Sequence, residues 1–570
     1  MLRLLPLAIV AFVLPAAAAE RPNFVVILVD DMGFSDIGCY GGEIPTPHID
    51  ALAAGGVSFR HFYNTGRCCP TRAALLTGQY AHVAGVGHMM TDRGPDHPAF
   101  RGRLNDRVAT IAERLGAAGY ATAAVGKWHV GADTPAERPN GRGFDFFYGV
   151  PEGGGFYSKV RKGRTVRRND SVLFSRTQPP PPDWYTTEAF TDEAIAWLDR
   201  FAGDHEGESD AAGESGDAPF LLYLPYNAPH FPLQAPQETI DRFRGRYRDG
   251  WDALRERRLE RQRELGLFDE TVTLPERPEV VPPWDTLSDE ERDRFDHIMA
   301  IYAAVMVELD DAIGRLVAHL DATGRLDDTV ILFLSDNGAC AEGGDFGRLL
   351  GDSPGDADSS VYQGRAWATV SNTPLRRHKS SNHEGGIASP LIVHWPGGSL
   401  PSGAWVDQVG HVVDIVPTLL DLAGVDESAG AGDAVETLPG ISLRKAMHGQ
   451  TQPRTLFWSH QGSRAYREGD WKLVESPRVG RWELYDLATD PTEQQDQAAS
   501  DAGRRKRMAA AWKRKAARQG FTKGEWTQAK AKKSTTNKTT NKTTKKTTKK
   551  TPRKATTNEL RTKPVGKATD

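Results

Sequence analysis

Five short apolar runs, four of them stopping at polar residues that can carry chemistry, set the rhythm of the first 400 residues. "NFVVILVDD" ends in Asp30 and Asp31, "YATAAVGKWH" leads into Lys127 and His129, and "PFLLYLPYNAPH" reaches Asn227 and His230. "TVILFLSDNG" ends in Asp336 and Asn337, and "SPLIVHWPG" is the fifth run. Unbroken apolar runs of this length predict strands buried on both faces. Between them lie helical patterns such as "RVATIAERLGAAGY" and "MAIYAAVMVELDDAIGRLVAHLDATG". Strands alternating with helices predict an α/β fold built on a mostly parallel, doubly wound sheet. In such sheets ligands bind beyond the carboxyl ends of the strands. That rule gathers the Asp, Lys, His and Asn residues just named at one edge.

The pattern changes after about Pro453. "RTLFWS", "SRAYRE", "DWKLVE" and "RWELYDL" are short runs separated by turn residues, predicting an antiparallel meander. A basic helix over about Arg504 to Arg518 follows. Residues 20–450 therefore read as the main domain and 451–520 as a smaller C-terminal antiparallel α+β subdomain. The stretch from Pro236 to Arg292, with "WDALRERRLERQREL", reads as a charged helical insertion whose charges form a solvated face.

Composition changes the picture at the two ends. The formal net charge of −4 hides a tail, residues 521–570, with 15 basic and 3 acidic residues and almost nothing apolar. This Lys/Thr-rich segment is expected to be disordered, serving either as a solvated tether or as a contact for a polyanion. It contains no folded nucleic-acid-binding motif. Residues 1–19 combine Arg3, an apolar core from Leu4 to Leu14 and small residues at Ala17 and Ala19. They predict a secretory signal peptide, hence an exported protein that is periplasmic, cell-surface or secreted. No later run is long and apolar enough to span a bilayer. Four cysteines, Cys39, Cys68, Cys69 and Cys340, are too few for a disulfide framework and leave one Cys39–Cys340 pairing open.

"NTGRCCPTRAALLTG", Asn64 to Gly78, places two of those cysteines side by side. They are either small buried residues at a helix start or the setting of a reactive centre. Cys68-Cys69-Pro70-Thr71-Arg72, followed by Leu75-Leu76-Thr77-Gly78, resembles the C-x-P-x-R signature of the type I sulfatases. "VDDMGFSDIGCYGG", "GKWHVG", "NAPHFP", "LSDNG" and "NTPLRRHKSSNHEGGIASPLIVHWPG" occur around it in the family's order. The resemblance runs from about Arg21 to Gln494 and is similar to the bacterial arylsulfatase branch, whose insertion "GRYRDGWDALRERRLERQRELG" also matches.

The resemblance implies an alkaline phosphatase/sulfatase-like fold and a catalytic Cys68 oxidised to formylglycine by a maturation enzyme. In the family one oxygen of the hydrated aldehyde attacks sulfur and the alcohol leaves. Loss of the second hydroxyl's proton then expels sulfate and restores the aldehyde. It further implies that Asp30, Asp31, Asp336, Asn337 and the group at Cys68 hold Ca²⁺, with Mg²⁺ the alternative. By the same resemblance Arg72 orients the nucleophile, and Lys127 and Lys379 grip the sulfate. His129 takes the diol proton, while His230 serves the leaving oxygen. A helix beginning near Thr71 adds its positive end to the pocket. The substrate class implied is a sulfate monoester of aryl type. A phosphonate monoester or phosphodiester hydrolase using the same site is the enzymatic rival, and a catalytically silent polyanion-binding protein the other. Outside this set, His82, His88 and His383 are candidate pocket walls, His48 marks a helix start, and Glu384-Gly385-Gly386 reads as a backbone-shaping turn.

Overall fold

A computed structural model describes residues 21–205, 218–430, 432 and 436–520. The expected signal segment 1–19 and the basic tail 521–570 lie outside the described residues. In chain order the strands of the main sheet are β1 (Asn23–Val29), β2 (Val57–Phe59), β3 (Ala121–Lys127), β4 (Phe146–Val150) and β5 (Thr165–Arg168). They continue with β6 (Ser171–Ser175), β7 (Phe220–Pro225), β8 (Thr329–Ser335), β9 (Leu391–His394) and β10 (Ala404–Val406). Their order across the sheet is β10-β2-β9-β8-β1-β7-β3-β4-β5-β6. The centre, β8-β1-β7-β3-β4, is parallel throughout. β9 runs antiparallel to both β8 and β2, and β5 and β6 finish the other side antiparallel.

Both faces of the sheet are covered, as the unbroken apolar runs require. Along β1, Phe24, Val26 and Leu28 join one core cluster, while Val25, Ile27 and Val29 join the other. The helices that carry the argument are α1 (Cys68–Thr77), α2 (Ile111–Ala117), α3 (Thr186–His205), α4 (Gly250–Glu264), α5 (Asp289–Ala322), α6 (Gly364–Ser371), α7 (Ile415–Ala423) and α8 (Ala502–Arg518). α3 and α5 pack on one face, and α1, α2 and α7 on the other. α2 is shorter than its sequence pattern because a reciprocal Thr110–Glu113 capping box sets its start.

The C-terminal meander forms a separate antiparallel sheet of β11 (Thr455–His460), β12 (Ser463–Glu468), β13 (Trp471–Glu475) and β14 (Trp482–Asp486). α8 lies against it through Trp512, which stacks on Phe457 and donates its indole N–H to the Trp458 carbonyl at 2.9 Å. Trp458 in turn donates to the carbonyl of Asn64 at 2.8 Å, fastening this sheet to the chain that enters α1. Among the described residues no helix is long and apolar enough to cross a membrane. All four cysteines are free, so Cys39 and Cys340 are not paired.

The charged insertion departs from its reading as a solvated face. Within α4, Arg255 and Arg258 are buried along with Leu254, Leu259 and Gln262. Arg258 donates to Asp36 Oδ1 at 2.9 Å and to Glu43 at 2.7 and 3.0 Å. Asp36 also accepts from the Tyr302 hydroxyl at 2.6 Å and from the Gly33 N–H at 2.8 Å. The helix thus grips the turn that follows Asp30 and Asp31, which counting charges along the sequence could not reveal. Arg258→Met is expected to lower unfolding free energy by about 3–5 kcal/mol, because Asp36 is left buried without its cation. Arg261→Ala, at a side chain 55% exposed beside Glu264, is expected to change it by less than about 1 kcal/mol. Urea unfolding of both variants checks this, and equal losses would contradict it.

Candidate active site

Cys68 opens α1 directly after Arg67, which is in extended backbone. The hydroxyl of Thr71 accepts the Thr65 N–H at 3.1 Å and meets the Thr65 hydroxyl at 2.9 Å, closing the chain's entry. The helix therefore starts three residues before the expected Thr71. Pro70 sits within the first turn, where a missing N–H costs nothing.

Both cysteines are buried, but they differ. Cys68 has its sulfur within 4.8 Å of a carboxylate oxygen of both Asp30 and Asp336. With Cys69 it also lies within that distance of a ring nitrogen of His129. Cys69 instead points its sulfur at Met89, 3.9 Å away. The Cys69 thiol beside it, then Lys127 and Lys379, hold the Cys68 thiol well below the usual range despite burial. Burial pushes Cys69 up.

The predicted residues converge at the carboxyl edge of β1, β3, β7 and β8. Arg72 donates to Asp336 Oδ2 through two nitrogens at 3.1 and 2.9 Å and to the Lys127 carbonyl at 2.7 Å. Lys127 pairs with Asp30, and Lys379 with Asp31. Burial alone would raise Asp30, but Lys127, His230 and Arg72 outweigh it and hold the carboxyl below its usual range. Lys379 precedes β9. Because β9 is antiparallel to β8, its amino end lies at the edge where β8 ends.

Two of these residues occupy left-handed backbone, Asp31 at φ 74° and His129 at φ 64°. Such conformations cost roughly 1–3 kcal/mol at a non-glycine residue and persist only where the surroundings enforce them. Asp31 is held by its N–H on Asp336 Oδ1 at 3.3 Å and by the Asn337 amide on its Oδ1 at 2.7 Å. His129 is held by its N–H on the Pro151 carbonyl at 3.1 Å and by Gly153, where a Cβ would lie 2.2 Å from the ring. Burial, with Lys127, lowers the His129 imidazole to about 4, leaving it neutral near pH 7. His230 Nδ1 lies 2.6 Å from the Phe231 carbonyl, which can only accept, so Nδ1 carries the proton. Its Nε2 faces Asp31 Oδ2 at 3.5 Å.

Asp30 Oδ1, Asp31 Oδ2 and Asn337 Oδ1 are buried without hydrogen-bond partners. Orphaned buried oxygens are costly unless an ion or water serves them. Together with Asp336 they form a set of hard oxygen donors of the kind that holds a divalent cation.

The other candidates divide. His88 stacks on His460 at 5.5 Å beside this pocket, whereas His82 packs edge-on against Phe100 and Phe457 in the core. His383 is spent on Glu483 at 3.1 Å and on the Ser381 hydroxyl, and does not line the pocket. His48 stands in the first turn of Pro47–Gly55, where Asp310 accepts the N–H groups of His48 and Ile49. Glu384-Gly385-Gly386 is not a turn but the first three residues of a short helix, Glu384–Ile387, whose glycines pack where a Cβ would lie within 2.5 Å of a carbonyl oxygen. Sequence reasoning missed His460, 2% exposed, whose two ring nitrogens have no partner and whose neighbours include His88, Arg67 and Cys68. It ends β11 as the other site residues end their strands, but in an antiparallel sheet, where the carboxyl-edge rule does not apply.

The sulfatase profile matches residues 22–425, and the C-terminal profile of N-sulphoglucosamine sulphohydrolase matches residues 378–515. An uncharacterized sulfatase of Schizosaccharomyces pombe is 35% identical over 84% of this chain and 90% of its own length. An arylsulfatase of Klebsiella aerogenes is 34% identical over 75% of this chain and 92% of its own. Among solved structures, Ps i-CgsB in complex with k-i-k-neocarrahexaose shares the fold with a TM-score of 0.62 and 24% identity, covering 87% of this chain and 92% of that one. The phosphonate monoester hydrolase of Agrobacterium radiobacter shares it with a TM-score of 0.53 and 21% identity, covering 88% and 96%. The profile match over most of the chain, together with these relatives, means that the protein belongs to the sulfatase family.

Proposed function

We propose that this sulfatase hydrolyses sulfate monoesters of aryl type, using an aldehyde made from Cys68 and a bound Ca²⁺ ion, with Mg²⁺ as the alternative. The observation that carries this reading is the burial of Cys68 within 4.8 Å of the carboxylates of Asp30 and Asp336, with Arg72, Lys127 and Lys379 around them. The sulfur of Cys68 marks where the mature enzyme would carry an aldehyde oxygen, whose hydrate would supply a nucleophile and a proton for sulfate release. Asp30, Asp31, Asp336 and Asn337 would hold the cation, which supplies Lewis acidity and charge neutralisation for a bound sulfate.

The chain's own residues divide the work. Lys127 and Lys379 hold buried ammonium groups beside Asp30 and Asp31, where they would meet the oxygens of an incoming sulfate. Arg72 is locked by three hydrogen bonds and serves to orient its neighbours. The neutral His129 has an unpartnered Nδ1 and a position beside Cys68, which suits it to accept a proton there. His230 keeps its Nδ1 proton on the Phe231 carbonyl and directs Nε2 into the pocket beside Asp31; only in the doubly protonated form, with Asp31 balancing its charge, would Nε2–H donate to the departing oxygen and leave the neutral ring. Export through the segment 1–19, a maturation enzyme acting on Cys68, and polyanion contact through the tail complete the reading.

Purified, matured enzyme is expected to turn over an aryl sulfate in preference to an aryl phosphonate monoester. The reverse preference would favour the phosphonate hydrolase, and inactivity on both would favour the silent binder. Lys379→Ala is expected to reduce aryl sulfate turnover by roughly 10²–10³, the effect of removing one preorganised charge-stabilising donor. Unchanged turnover would remove Lys379 from the sulfate site. Chelation is expected to abolish turnover and lower the thermal midpoint, with added Ca²⁺ restoring both. A rigorously metal-free enzyme with full activity would contradict the cation's role.

A further inference from the structure

Cys68 belongs to two clusters of metal-ligating groups. Its sulfur lies within 4.8 Å of carboxylate oxygens of Asp30 and Asp336, which belong to the hard donor set described above. It also lies within 4.8 Å of the Cys69 sulfur and of a ring nitrogen of His129, which are as close to one another. Cys69 has no part in the sulfate chemistry, which therefore leaves this second cluster unexplained. A further sulfur stands beside it, the Met89 thioether, 3.9 Å from Cys69 Sγ. Two sulfurs each about 2.3 Å from one tetrahedral ion are about 3.8 Å apart, so this spacing suits a shared ion.

The four donors are soft, and the ring among them is fixed in place. Cys68 and Cys69 are buried on the first turn of α1, and Met89 is half-buried. Left-handed backbone and the close packing of Gly153 hold the His129 imidazole, which is 7% exposed. Its Nδ1 has no hydrogen-bond partner among the described residues. The same holds for both ring nitrogens of His460, which stacks on His88, the residue before Met89. Buried polar atoms without partners mark a place where an ion or water is taken up. Thiolate, thioether and imidazole donors select soft ions over Ca²⁺ or Mg²⁺. Thioethers are not among the usual ligands of zinc, which turns the choice to Cu⁺.

We propose that, while position 68 remains a cysteine, Cys68, Cys69 and His129 bind one thiophilic ion of the Cu⁺ class, with Met89 as a weaker fourth ligand. Binding releases the thiol protons to solvent. Conversion of Cys68 to an aldehyde would remove one of the two thiolates and give its place to an oxygen beside Asp30 and Asp336. The chemistry at position 68 then selects the class of ion that the pocket takes, soft before conversion and hard after it. The soft site itself needs only the two thiols, the thioether and the imidazole, so it stands or falls apart from the sulfate-ester reading above.

The test uses full-chain protein, reduced and oxygen-free, whose peptide mass shows a thiol at position 68. It is titrated with Cu⁺ against bicinchoninate, whose coloured Cu⁺ complex loses absorbance as the protein takes the ion. One Cu⁺ per chain is expected to be withdrawn from the chelator. Cys69→Ser is expected to weaken retention at least about a hundredfold, since even a group that only supports a metal ligand is worth about ten- to a hundredfold. Met89→Leu, similar in volume at a half-buried position, is expected to weaken it about tenfold, as suits a weak thioether ligand. Cys39→Ser, at a thiol outside the cluster, is expected to leave retention unchanged. X-ray absorption at the copper edge reads the ligand atoms of the parent without any substitution, and sulfur together with nitrogen is expected. Absence of withdrawal, a Cys69→Ser variant that holds the ion as tightly as the parent, or a spectrum of nitrogen and oxygen alone overturns the proposal.

Discussion

Three carboxylates and three cations share one buried pocket at the end of the sheet, and the rest of the site depends on their mutual neutralisation. Asp30, Asp31 and Asp336 are 3% exposed or less, and Arg72, Lys127 and Lys379 no more than 5%. The idealised cost of moving one such ion from water into a low-dielectric interior is of order 20 kcal/mol, so none can be buried alone. Each pair joins segments far apart in the chain. Arg72 on α1 meets Asp336 after β8, Lys127 at the end of β3 meets Asp30 after β1, and Lys379 ahead of β9 meets Asp31. The geometry that gathers these side chains around Cys68 is therefore the geometry that lets their charges leave water.

The Lys379 segment carries no regular structure of its own over most of its length, and the C-terminal sheet holds it in place. Glu384 accepts from the Tyr63 hydroxyl at 2.7 Å and from Lys472 on β13 at 2.5 Å. Lys472 also lies 2.9 Å from Glu493, whose other carboxylate oxygen accepts the Glu384 N–H at 2.9 Å. With Arg376 donating to the Tyr485 hydroxyl on β14 at 3.2 Å, both ends of the Arg376–Glu384 segment are anchored in the second sheet. A subdomain that contributes few groups to the pocket thus governs where one of its main cations stands.

Most of the fold and the central site were legible in the chain because strong local signals and topology agree there. Unbroken apolar runs ending in Asp30, Lys127, His230 and Asp336 predict buried parallel strands, and the carboxyl-edge rule then brings those residues together. The failures have a common cause, since each concerns a partner distant in sequence. Arg258 reads as solvent-facing until Asp36 and Glu43 are folded against it. His383 reads as a pocket wall until Glu483 arrives from β14. His460 carries no local mark because its place beside Cys68 depends on how the second sheet docks.

The pocket's charges surround Cys68 and not Cys69, so conversion to the reactive aldehyde is expected at position 68. Trypsin should release the short peptide Cys68–Arg72 from enzyme that is active on an aryl sulfate, and its fragment masses locate any change. Position 68 is expected to be lighter by the difference between a CH₂SH and a CHO group, while position 69 remains a thiol. Two intact thiols in fully active enzyme, or an aldehyde at position 69, would contradict it.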